Sequence, residues 1–566
     1  MQARATSCAL RGRSGEGAAN PLVKCCAMQR TAVVGAGTMG AGIALAAAVA
    51  GFDVDLVEID AATRERASER LKRDAQRVDR ADALTRIHLC SSTSGIGDAE
   101  LAIEAVHEDL VLKQRVFKDL ERRLPAGAIL ATNTSSLSVS EIGEALADPG
   151  RLIGLHFFNP PTVMKLVEVV RTDRADESIV DIGRAFVEAL GKTAVITADT
   201  PGFIVNRVAR PYYLQALHAL DRCAAEVEDL DSLARGAGFR MGPFELMDLI
   251  GLDVNLATTE SIYERTELAR LAPVPRQQKM VAEGKLGRKT GNGFYEYDGE
   301  RVRREAIPPP SAPAKDEDEI VLVIGFGDIA DTVVSALRET YPKLQQIETD
   351  DALDRIEGQP TIVFDIGDGV SDRSPALADV ETVVSDGAVI FIDAYATPMR
   401  RVAGGLQNPD RVVGYGIVGS FERQAIVEIV DADATDDDAL ALAEEVFAAL
   451  GKRTTLVEDI PGLFLGRVIC SVVNEAVYAV QDGIASAEDV DLAMRFGTNY
   501  PLGPIAWGRE IGGERVARIL SQLAAVEGTE FGPARALWVL DAEAEAIEEM
   551  AEEKVRQQHR VYGVEL

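Results

Sequence analysis

The chain has 566 residues, of which 47% are apolar, and it carries 91 acidic against 59 basic residues, a formal net charge of −32. So strong a negative charge opposes binding to nucleic acid and to anionic membrane surfaces. The longest apolar stretch, residues 40–51, is too short to span a bilayer.

The basic residues and the cysteines indicate the kind of cellular environment in which the protein works. Only 13 of the 59 basic residues are Lys, a composition typical of a protein from a high-salt cytoplasm and equally of a GC-rich coding bias. The six cysteines show no metal or disulfide spacing through the body of the chain, which favours a reducing cytoplasm and no metal site. They are Cys8, Cys25, Cys26, Cys90, Cys223 and Cys470.

Residues 1–27 are rich in Arg, as in a transit peptide. Because Met28 directly precedes the first predicted strand, we instead interpret this segment as a mis-called start or a disordered tail.

The next segment predicts a Rossmann-type α/β domain over residues 28–201. Residues 31–34 predict a strand, residues 35–40 a turn, and the Ala-rich run after them a helix that Gly51 ends. Further strands are predicted at 53–59, 101–106, 128–133, 152–157 and 166–170, with an Arg/Glu-rich helix from about Ala61. Beyond Thr200 the pattern turns helical, which predicts an all-α domain over residues 202–300.

A proline-rich, charged segment then predicts a semi-extended linker over residues 301–318. After it the chain repeats itself: residues 151–170 recur as residues 411–430, at an offset of 260 residues. This second copy predicts a Rossmann-like domain at 319–460, reduced by about 30 residues, and a second all-α domain at 461–566.

The second copy lacks the reactive side chains of the first. At the fixed offset Ser135 becomes Tyr395, His156 becomes Gly416, Asn159 becomes Gly419 and Asn206 becomes Gly466, whereas fold-type Gly, Pro and Val positions persist. The five histidines, His88, His107, His156, His218 and His559, leave residues 219–558 without an imidazole. Any histidine chemistry therefore belongs to the first copy.

Gly35, Gly37 and Gly40 form a G-x-G-x-x-G motif between a predicted strand and a predicted helix. Such a loop lets backbone amides approach a pyrophosphate at the helix N-terminus, and we expect Thr38 and Met39 in the same turn to contact the cofactor. A carboxylate, Glu58, ends the next strand, where it can bind both ribose hydroxyls and repel a 2′-phosphate. The motif favours NAD over NADP.

The second copy keeps a remnant of this loop at Gly325, Gly327 and Ala330, but Asp328 puts a negative charge beside the phosphate position. Glu348 and Asp350 still resemble ribose ligands. We expect this copy to bind no dinucleotide.

His156 and Glu168 lie on neighbouring predicted strands of the first copy. A neutral imidazole can take a hydroxyl proton while hydride leaves the same carbon, and a carboxylate fixes its tautomer. A buried structural histidine is the alternative, and Glu168 alone does not decide, because its counterpart Glu428 persists where the histidine is lost.

Seven segments in this order closely resemble the L-3-hydroxyacyl-CoA dehydrogenase family, from Arg30 to about Tyr297. They are VGAGTMGAGIA, IEAVHEDLVLK, ATNTSSL, GLHFFNPPTVMKLVEVV, DTPGFIVNR, MGPFELMDLIGLD and GRKTGNGFYEY. The second half resembles the longer bacterial members that act on 3-hydroxybutyryl-CoA or 3-hydroxyadipyl-CoA. The resemblance implies reversible NAD-dependent oxidation of an (S)-3-hydroxyacyl-CoA, short-chain in the first instance.

By motif position, the resemblance implies His156 as general base and Glu168 as its orienting partner. Ser135 and Asn206 would bind the reacting oxygen or the thioester carbonyl, and Asn159 would help to hold His156 and the nicotinamide. Glu108, Lys113 and Lys289 match positions that contact the cofactor, as Ser135 and Asn159 also would.

Coenzyme A brings phosphates, and an Arg stripe on the helix that begins near Ala61 is the candidate to bind them. Its members, spaced by three or four residues, are Arg66, Arg70, Arg73, Arg77 and Arg80. The alternative is a solvated face on which these arginines pair with Glu65, Glu69, Asp74 and Asp79. Where better-known members have a CoA-contacting Ser and Lys, this chain has Asp74 and Ala81.

Two other functional classes of protein share part of this strand, glycine-loop and helix sequence pattern. Dehydrogenases of free β-hydroxyacids rely on a catalytic lysine, and the LHFFNP segment argues against them. A nucleotide-binding structural protein would be expected to have lost the His/Glu pair, which the first copy keeps. Single-unit family members pair through their helical domains, so we expect the second helical domain to supply an internal partner; whether the chain also forms a homodimer stays open.

Overall fold

The computed structural model describes residues 28–298, 318–348, 350–366, 374–395, 398–431 and 435–540. These residues form two compact units, divided between Ala194 and Val195. The predicted tail, residues 1–27, lies outside the described residues, as does the predicted linker except for Asp318. Among the helices of the described segments, none is both long and apolar enough to cross a membrane.

A mostly parallel β-sheet with helices between its strands forms the first unit. The strands are β1 (Arg30–Val34), β2 (Asp53–Val57), β3 (Ile87–Cys90), β4 (Leu101–Glu104), β5 (Ile129–Thr132), β6 (Leu152–Phe157) and β7 (Leu166–Arg171); the boundary between the units falls within β8 (Thr193–Ala198). The helices are α1 (Thr38–Ala50), α2 (Ala61–Arg77), α3 (Leu110–Arg123), α4 (Val139–Gly143) and α5 (Glu177–Ala189).

Within the first unit the strand order is β3-β2-β1-β4-β5-β6-β7, and only the pair β6–β7 is antiparallel. β4 and β5 are buried along their whole length, as expected for a parallel sheet covered on both faces. The order 3-2-1-4-5-6 is that of the Rossmann fold, which confirms the predicted fold class. β3 was not predicted, because it is an edge strand of only four residues, all half-buried to exposed.

The second unit contains two helical segments and a second sheet. The first helical segment comprises α6 (Val205–Val208), α7 (Arg210–Asp221), α8 (Val227–Gly236), α9 (Pro243–Ile250), α10 (Leu252–Thr266) and α11 (Pro275–Ala282). The second sheet domain comprises β9 (Ile320–Ile324), α12 (Asp328–Arg338), β10 (Lys343–Ile347), β11 (Ile362–Asp365), α13 (Ser374–Glu381), β12 (Val389–Asp393), α14 (Met399–Ala403), β13 (Val412–Gly416), β14 (Ile426–Asp431), α15 (Asp437–Ala449) and β15 (Arg453–Glu458). The second helical segment comprises α16 (Leu465–Gln481), α17 (Ala487–Gly497), α18 (Pro504–Ile511) and α19 (Gly513–Glu527).

The second sheet has the order β10-β9-β11-β12-β13-β14-β15 and repeats the first without two of its elements. In the first copy α2 and β3 lie between β2 and β4, whereas the described residues between β10 and β11 form only one short 3-10 helix, Asp350–Arg355. The loss of one helix and one edge strand accounts for the shorter second sheet domain.

The two helical segments pack against each other through α7 and α16, and their contacts are reciprocal. Arg207 Nε donates to Glu475 Oε1 at 2.7 Å. Arg467, which aligns with Arg207, donates to Gln215 at 3.2 Å, and Gln215 aligns with Glu475. A pair of like elements that exchange equivalent contacts is the pattern of a two-fold interface, here formed inside one chain.

Candidate active site

The glycine loop after β1 has the shape that a phosphate-binding turn requires. Gly35 has a φ of +100°, and a Cβ there would lie 2.6 Å from the carbonyl oxygen of Ala105. A Cβ on Gly40 would lie 1.8 Å from the carbonyl oxygen of Gly35, whereas one on Gly37 would meet nothing within 4 Å. Open space at Gly37 thus faces the N-terminus of α1, whose first turn carries no acidic side chain, so an anion can approach the free backbone amides.

Glu58 lies directly after β2 and is hydrogen-bonded to this loop. Its Oε2 accepts from the backbone N–H of Ala36 at 3.1 Å, and its Oε1 accepts from the N–H of Asp60 at 3.0 Å. Thr38 and Met39, in the first turn of α1, are exposed and half-buried. The predicted ribose carboxylate and the predicted phosphate loop therefore lie together at the carboxyl ends of β1 and β2.

Glu108 holds the turn that carries Ser135. One carboxylate oxygen accepts from the Thr134 hydroxyl (2.6 Å), the Ser135 N–H (2.9 Å), and both the N–H (3.1 Å) and the hydroxyl (3.0 Å) of Ser136. Burial alone would raise the pKa of Glu108, but the Lys113 ammonium at 3.2 Å and these hydrogen bonds outweigh it and lower the pKa to about 2. The ionised carboxylate fixes the Ser135 turn.

Lys113 lies beneath this turn in a buried ionic group. Its side chain is 1% exposed, and its Nζ lies 2.7 Å and 3.0 Å from the two carboxylate oxygens of Glu104. Thr132 donates a further hydrogen bond to Glu104 at 2.7 Å. Lys113 and Glu108, predicted only as cofactor contacts, thus also build the wall of the site.

Ser135, His156 and Glu168 form a continuous hydrogen-bonded line. His156 on β6 and Glu168 on β7 are register partners of the antiparallel pair, and His156 Nδ1 lies 2.6 Å from Glu168 Oε2. On the other side of the ring, Nε2 lies 3.0 Å from the Ser135 Oγ. Because the carboxylate of the fully buried Glu168 is an acceptor, it places the imidazole proton on Nδ1 and leaves the Nε2 lone pair to accept a proton.

Three predicted residues lie apart from this line or in the other unit. Asn159 is exposed in the loop after β6. Asn206 lies on α6 of the second unit, where its carbonyl oxygen accepts from Arg210. Lys289, also of the second unit, forms an ion pair with Asp253.

The Arg stripe is partly as predicted. Arg73 and Arg77 are exposed on α2, but α2 ends at Arg77, so the prediction that Arg80 lies on the same helical face is wrong. The chain leaves the helix at Val78, and Arg80 pairs with Asp82 at 3.1 Å.

In the second copy, Tyr395 fills the place of the missing imidazole. A Cβ on Gly416, which aligns with His156, would lie 2.9 Å from the Tyr395 hydroxyl, and one on Gly466, which aligns with Asn206, would lie 2.6 Å from the same ring. The hydroxyl donates to Glu428 at 2.6 Å, and Glu428 also accepts from the backbone N–H of Phe464 at 2.7 Å. The second copy is closed by its own side chains at this point.

Three further residues of the site, Thr134, Ser136 and Glu104, were not predicted from the sequence. Thr134 and Ser136 flank Ser135 in the hydroxyl-rich run ATNTSSL, and Glu104 is an acid inside an otherwise apolar strand. A buried acid in a strand needs a partner, and this signal would have pointed to Glu104.

The part of the chain that the structure describes contains no group of three or more His, Cys, Asp or Glu side chains arranged to hold a metal ion. Its cysteines, Cys90, Cys223 and Cys470, are not in disulfides.

The family models match both copies. The model of the 3-hydroxyacyl-CoA dehydrogenase NAD-binding domain matches residues 30–200 and 331–460, and that of the C-terminal domain matches residues 202–297 and 462–556.

Two individual proteins and one crystal structure show the same similarity. The 3-hydroxyadipyl-CoA dehydrogenase of Escherichia coli is 36% identical over 88% of this chain and 94% of its own length. The human mitochondrial hydroxyacyl-coenzyme A dehydrogenase is 38% identical over 51% of this chain and 97% of its own. The crystal structure of 3-hydroxybutyryl-CoA dehydrogenase from E. coli superposes with a TM-score of 0.73 at 32% identity, covering 93% of this chain and 99% of that one.

Proposed function

Since the chain belongs to the 3-hydroxyacyl-CoA dehydrogenase family and is an NAD-dependent oxidoreductase, we propose that it reversibly oxidises an (S)-3-hydroxyacyl-CoA to the 3-oxoacyl-CoA at the site in its first copy. The observation that carries this proposal is the hydrogen-bonded line from Glu168 through His156 to Ser135. The second copy keeps the carboxylate, Glu428, but bonds it to Tyr395.

The residues around the glycine loop fit NAD. Gly37 leaves open space at the N-terminus of α1, and Glu58 is held beside the loop. The loop amides and α1 would hold the pyrophosphate, with Thr38 and Met39 in contact, and Glu58 would take the ribose hydroxyls. When bound, NAD accepts the hydride that leaves the hydroxyl-bearing carbon.

His156 takes the proton of the same hydroxyl. With Nδ1–H donated to Glu168, the Nε2 lone pair faces Ser135, and the substrate hydroxyl can take a place on this lone pair. The imidazolium that forms is stabilised by the Glu168 carboxylate, and in the reverse direction it returns the proton to the 3-oxo oxygen.

Hydrogen-bond donors complete the site. Ser135, held by Glu108 through its N–H, would donate to the reacting oxygen, and Asn206 to the same oxygen or to the thioester carbonyl. Asn159 would hold the nicotinamide. For Lys289 we propose a cofactor contact, which requires it to exchange its partner Asp253.

For the coenzyme A phosphates we propose Arg73, Arg77 and Arg80. Arg73 and Arg77 extend into solvent from α2, and the described residues of the second copy contain no counterpart of this helix. A helix that is present only in the copy with the reactive side chains supports a role in substrate binding.

Family members that have one copy match about half of this chain, and the second helical segment packs on the first as a like partner. We propose that it takes the place of a partner subunit and leaves homodimer formation unnecessary. In this organisation residues 28–201 bind NAD, 202–300 form the first helical domain, and 319–460 with 461–566 support them. The scattered cysteines support a cytoplasmic setting.

The test is to measure turnover by the full chain through the absorbance of the NADH that forms. We expect (S)-3-hydroxybutyryl-CoA to be oxidised with NAD, and 3-hydroxyadipyl-CoA, the substrate named for the E. coli relative, to be the alternative. No turnover with either, together with NADH binding, would support a nucleotide-binding structural protein instead.

A further inference from the structure

The helix that carries Asn206 is interrupted, whereas its counterpart in the second copy is continuous. In the first copy α6 and α7 are separate helices, and the aligned residues of the second copy form the single helix α16. Pro211, in the first turn of α7, has no N–H to donate to the carbonyl of Arg207, and its ring crowds that carbonyl. The second copy has Ser471 at this position. The backbone ladder therefore does not hold the short helix of Asn206 as it holds α16.

A buried guanidinium group lies at this interruption. Arg210 is 4% exposed, and its Nε donates to the carbonyl oxygen of Asn206 at 2.8 Å. Its Nη1 donates to the Thr259 hydroxyl at 3.2 Å and to the Asn255 carbonyl oxygen at 3.3 Å, both on α10. The guanidinium carbon also lies 4.9 Å from the centre of the Tyr213 ring. The side chain thus connects the short helix of Asn206 to a second helix of the same segment.

The charge of Arg210 has no acidic partner within the part of the chain that the structure describes. Two other buried arginines on these helices, Arg207 and Arg467, form ion pairs with Glu475 and Glu527. Arg210 instead donates to neutral oxygens. Because burial of a cation without a carboxylate lowers stability, we expect Arg210 to serve another purpose than holding the fold.

The second copy has an apolar cluster in the same place. Four residues of the first copy align with buried apolar residues: Arg210 with Cys470, Tyr213 with Val473 and, beyond a one-residue insertion, Asn255 with Val516 and Thr259 with Leu520. The second helical segment therefore packs at these positions without a buried charge. The polar cluster is present in the copy that has Asn206 and absent from the copy that has Gly466 at that position.

We infer that Arg210 is a positioning residue, which fixes the backbone from which the Asn206 amide extends. The inference rests on the proposed function, in which Asn206 donates a hydrogen bond to the reacting oxygen or to the thioester carbonyl. All three hydrogen bonds of Arg210 lie within the second unit. In this role Arg210 touches neither substrate nor cofactor, and it restricts the movement that the interrupted helix would otherwise leave to Asn206.

The test is a double-mutant cycle in the full chain, with kcat/KM for whichever of (S)-3-hydroxybutyryl-CoA and 3-hydroxyadipyl-CoA is turned over. We expect Arg210→Met to lower kcat/KM about tenfold, because it removes hydrogen bonds from a charged group, and to leave NADH binding unchanged. In the Asn206→Ala background the same change should lower kcat/KM less than about twofold, since the amide that Arg210 positions is no longer there. A residue that only supports the fold would lower kcat/KM by the same factor in both backgrounds.

A milder variant, Thr259→Val, serves if Arg210→Met fails to fold. It removes the hydroxyl that accepts from Arg210 Nη1, and we expect a loss of about threefold in the parent background and none with Asn206→Ala. The matched control is Thr258→Val on the same helix. The Thr258 hydroxyl donates to the carbonyl four residues earlier, as the Thr259 hydroxyl does, but it makes no contact with Arg210, so its removal should leave kcat/KM unchanged.

The possible outcomes separate this inference from the proposed function. Equal losses in the two backgrounds, an unchanged kcat/KM in Arg210→Met, or unfolding of both Arg210→Met and Thr259→Val would contradict the positioning role alone. A kcat/KM of Asn206→Ala equal to that of the parent would contradict the proposed role of Asn206. Absence of turnover by the parent with either substrate would contradict the proposed function itself.

Discussion

His156 is the residue on which the proposed chemistry depends, and its neighbours determine what it can do. It is buried between a carboxylate 2.6 Å from Nδ1 and a hydroxyl 3.0 Å from Nε2. The second copy shows what remains without it: Tyr395 donates to the equivalent carboxylate, Glu428, and no imidazole stands in its place. The imidazole is therefore the group to remove first.

We predict that His156→Ala lowers kcat by about 100- to 10,000-fold, the usual contribution of a positioned acid/base, and leaves NADH binding unchanged. Stopped-flow turnover and fluorescence titration with NADH measure the two quantities. His88→Ala, which removes an exposed histidine from β3, serves as the control. Near-normal kcat in His156→Ala would contradict the role of His156 as the base.

Through Glu108, we expect the stability of the fold around the site to depend on pH. Its folded pKa of about 2 lies below the unfolded value of about 4.3, so its contribution to stability is complete above about pH 4.3 and is lost as pH falls toward 2. We predict that Glu108→Gln removes this part of the acid dependence of urea unfolding and also lowers kcat/KM about tenfold, because the Ser135 turn loses charge-assisted hydrogen bonds. Glu69→Gln, an exposed substitution on α2, should alter neither; parallel acid curves for parent and Glu108→Gln would contradict the prediction.

We predict that Glu58 determines the choice between NAD and NADP. Charge-assisted hydrogen bonds are worth roughly 1.5 to 3 kcal/mol, so Glu58→Ala should weaken NAD binding by about 10- to 100-fold and relax the rejection of NADP. The measurement is KM for both cofactors, with Glu65→Ala on the exposed face of α2 as control. Equal use of NADP by the unmodified enzyme would rule the prediction out.

At the scale of elements, periodicity and glycine placement predicted most strands and helices of the first sheet, because those signals are local. The duplication predicted the second sheet in the same way. β3 was not predicted because it is a short edge strand. Arg80 was wrongly predicted to lie on α2 because residue spacing does not show where a helix ends. Glu108 is hydrogen-bonded to Ser135, 27 positions away, and Tyr395 to Glu428, 33 positions away. Only the folded topology brings such residues together.

The closed second site gives an element-scale prediction at Glu428. Burial raises its pKa to about 7, so its contribution to stability is complete below the unfolded pKa of about 4.3 and is lost as pH rises through about 7. Gln at position 428 cannot titrate, so the urea midpoint of Glu428→Gln should fall less than that of the parent between about pH 5 and 8. The difference corresponds to at most about 3 kcal/mol in the free energy of unfolding. Glu444→Gln, exposed on α15, is the control; identical slopes in Glu428→Gln and the parent would mean that Glu428 does not titrate in this range.

At the scale of the whole molecule, the second unit joins the two helical segments by pairs of equivalent contacts. The Ala198 N–H donates to the Ile484 carbonyl at 2.8 Å, and the aligned Glu458 N–H donates to the Ala224 carbonyl at 2.9 Å. The buried Glu475 also accepts from Arg270 at 2.7 Å. The second copy thus lacks the reactive side chains of the first and keeps the contacts that hold the first helical segment.

Cutting the chain between the copies tests this division directly. A chain shortened after Asp298 would leave Arg207 and Arg270 without Glu475, their buried carboxylate partner, and would expose the apolar face of α7. Uncovered apolar surface lowers stability and solubility, so we expect the shortened protein to aggregate or to unfold at lower urea, with any soluble fraction still binding NADH. Calorimetric titration of the intact chain should give one NADH per polypeptide, because the second copy has Asp328 at the start of α12 and Tyr395 in place of the reactive residues. Two equivalent NADH sites, or a shortened chain as stable and soluble as the parent, would show that the second copy does more, or less, than support the first.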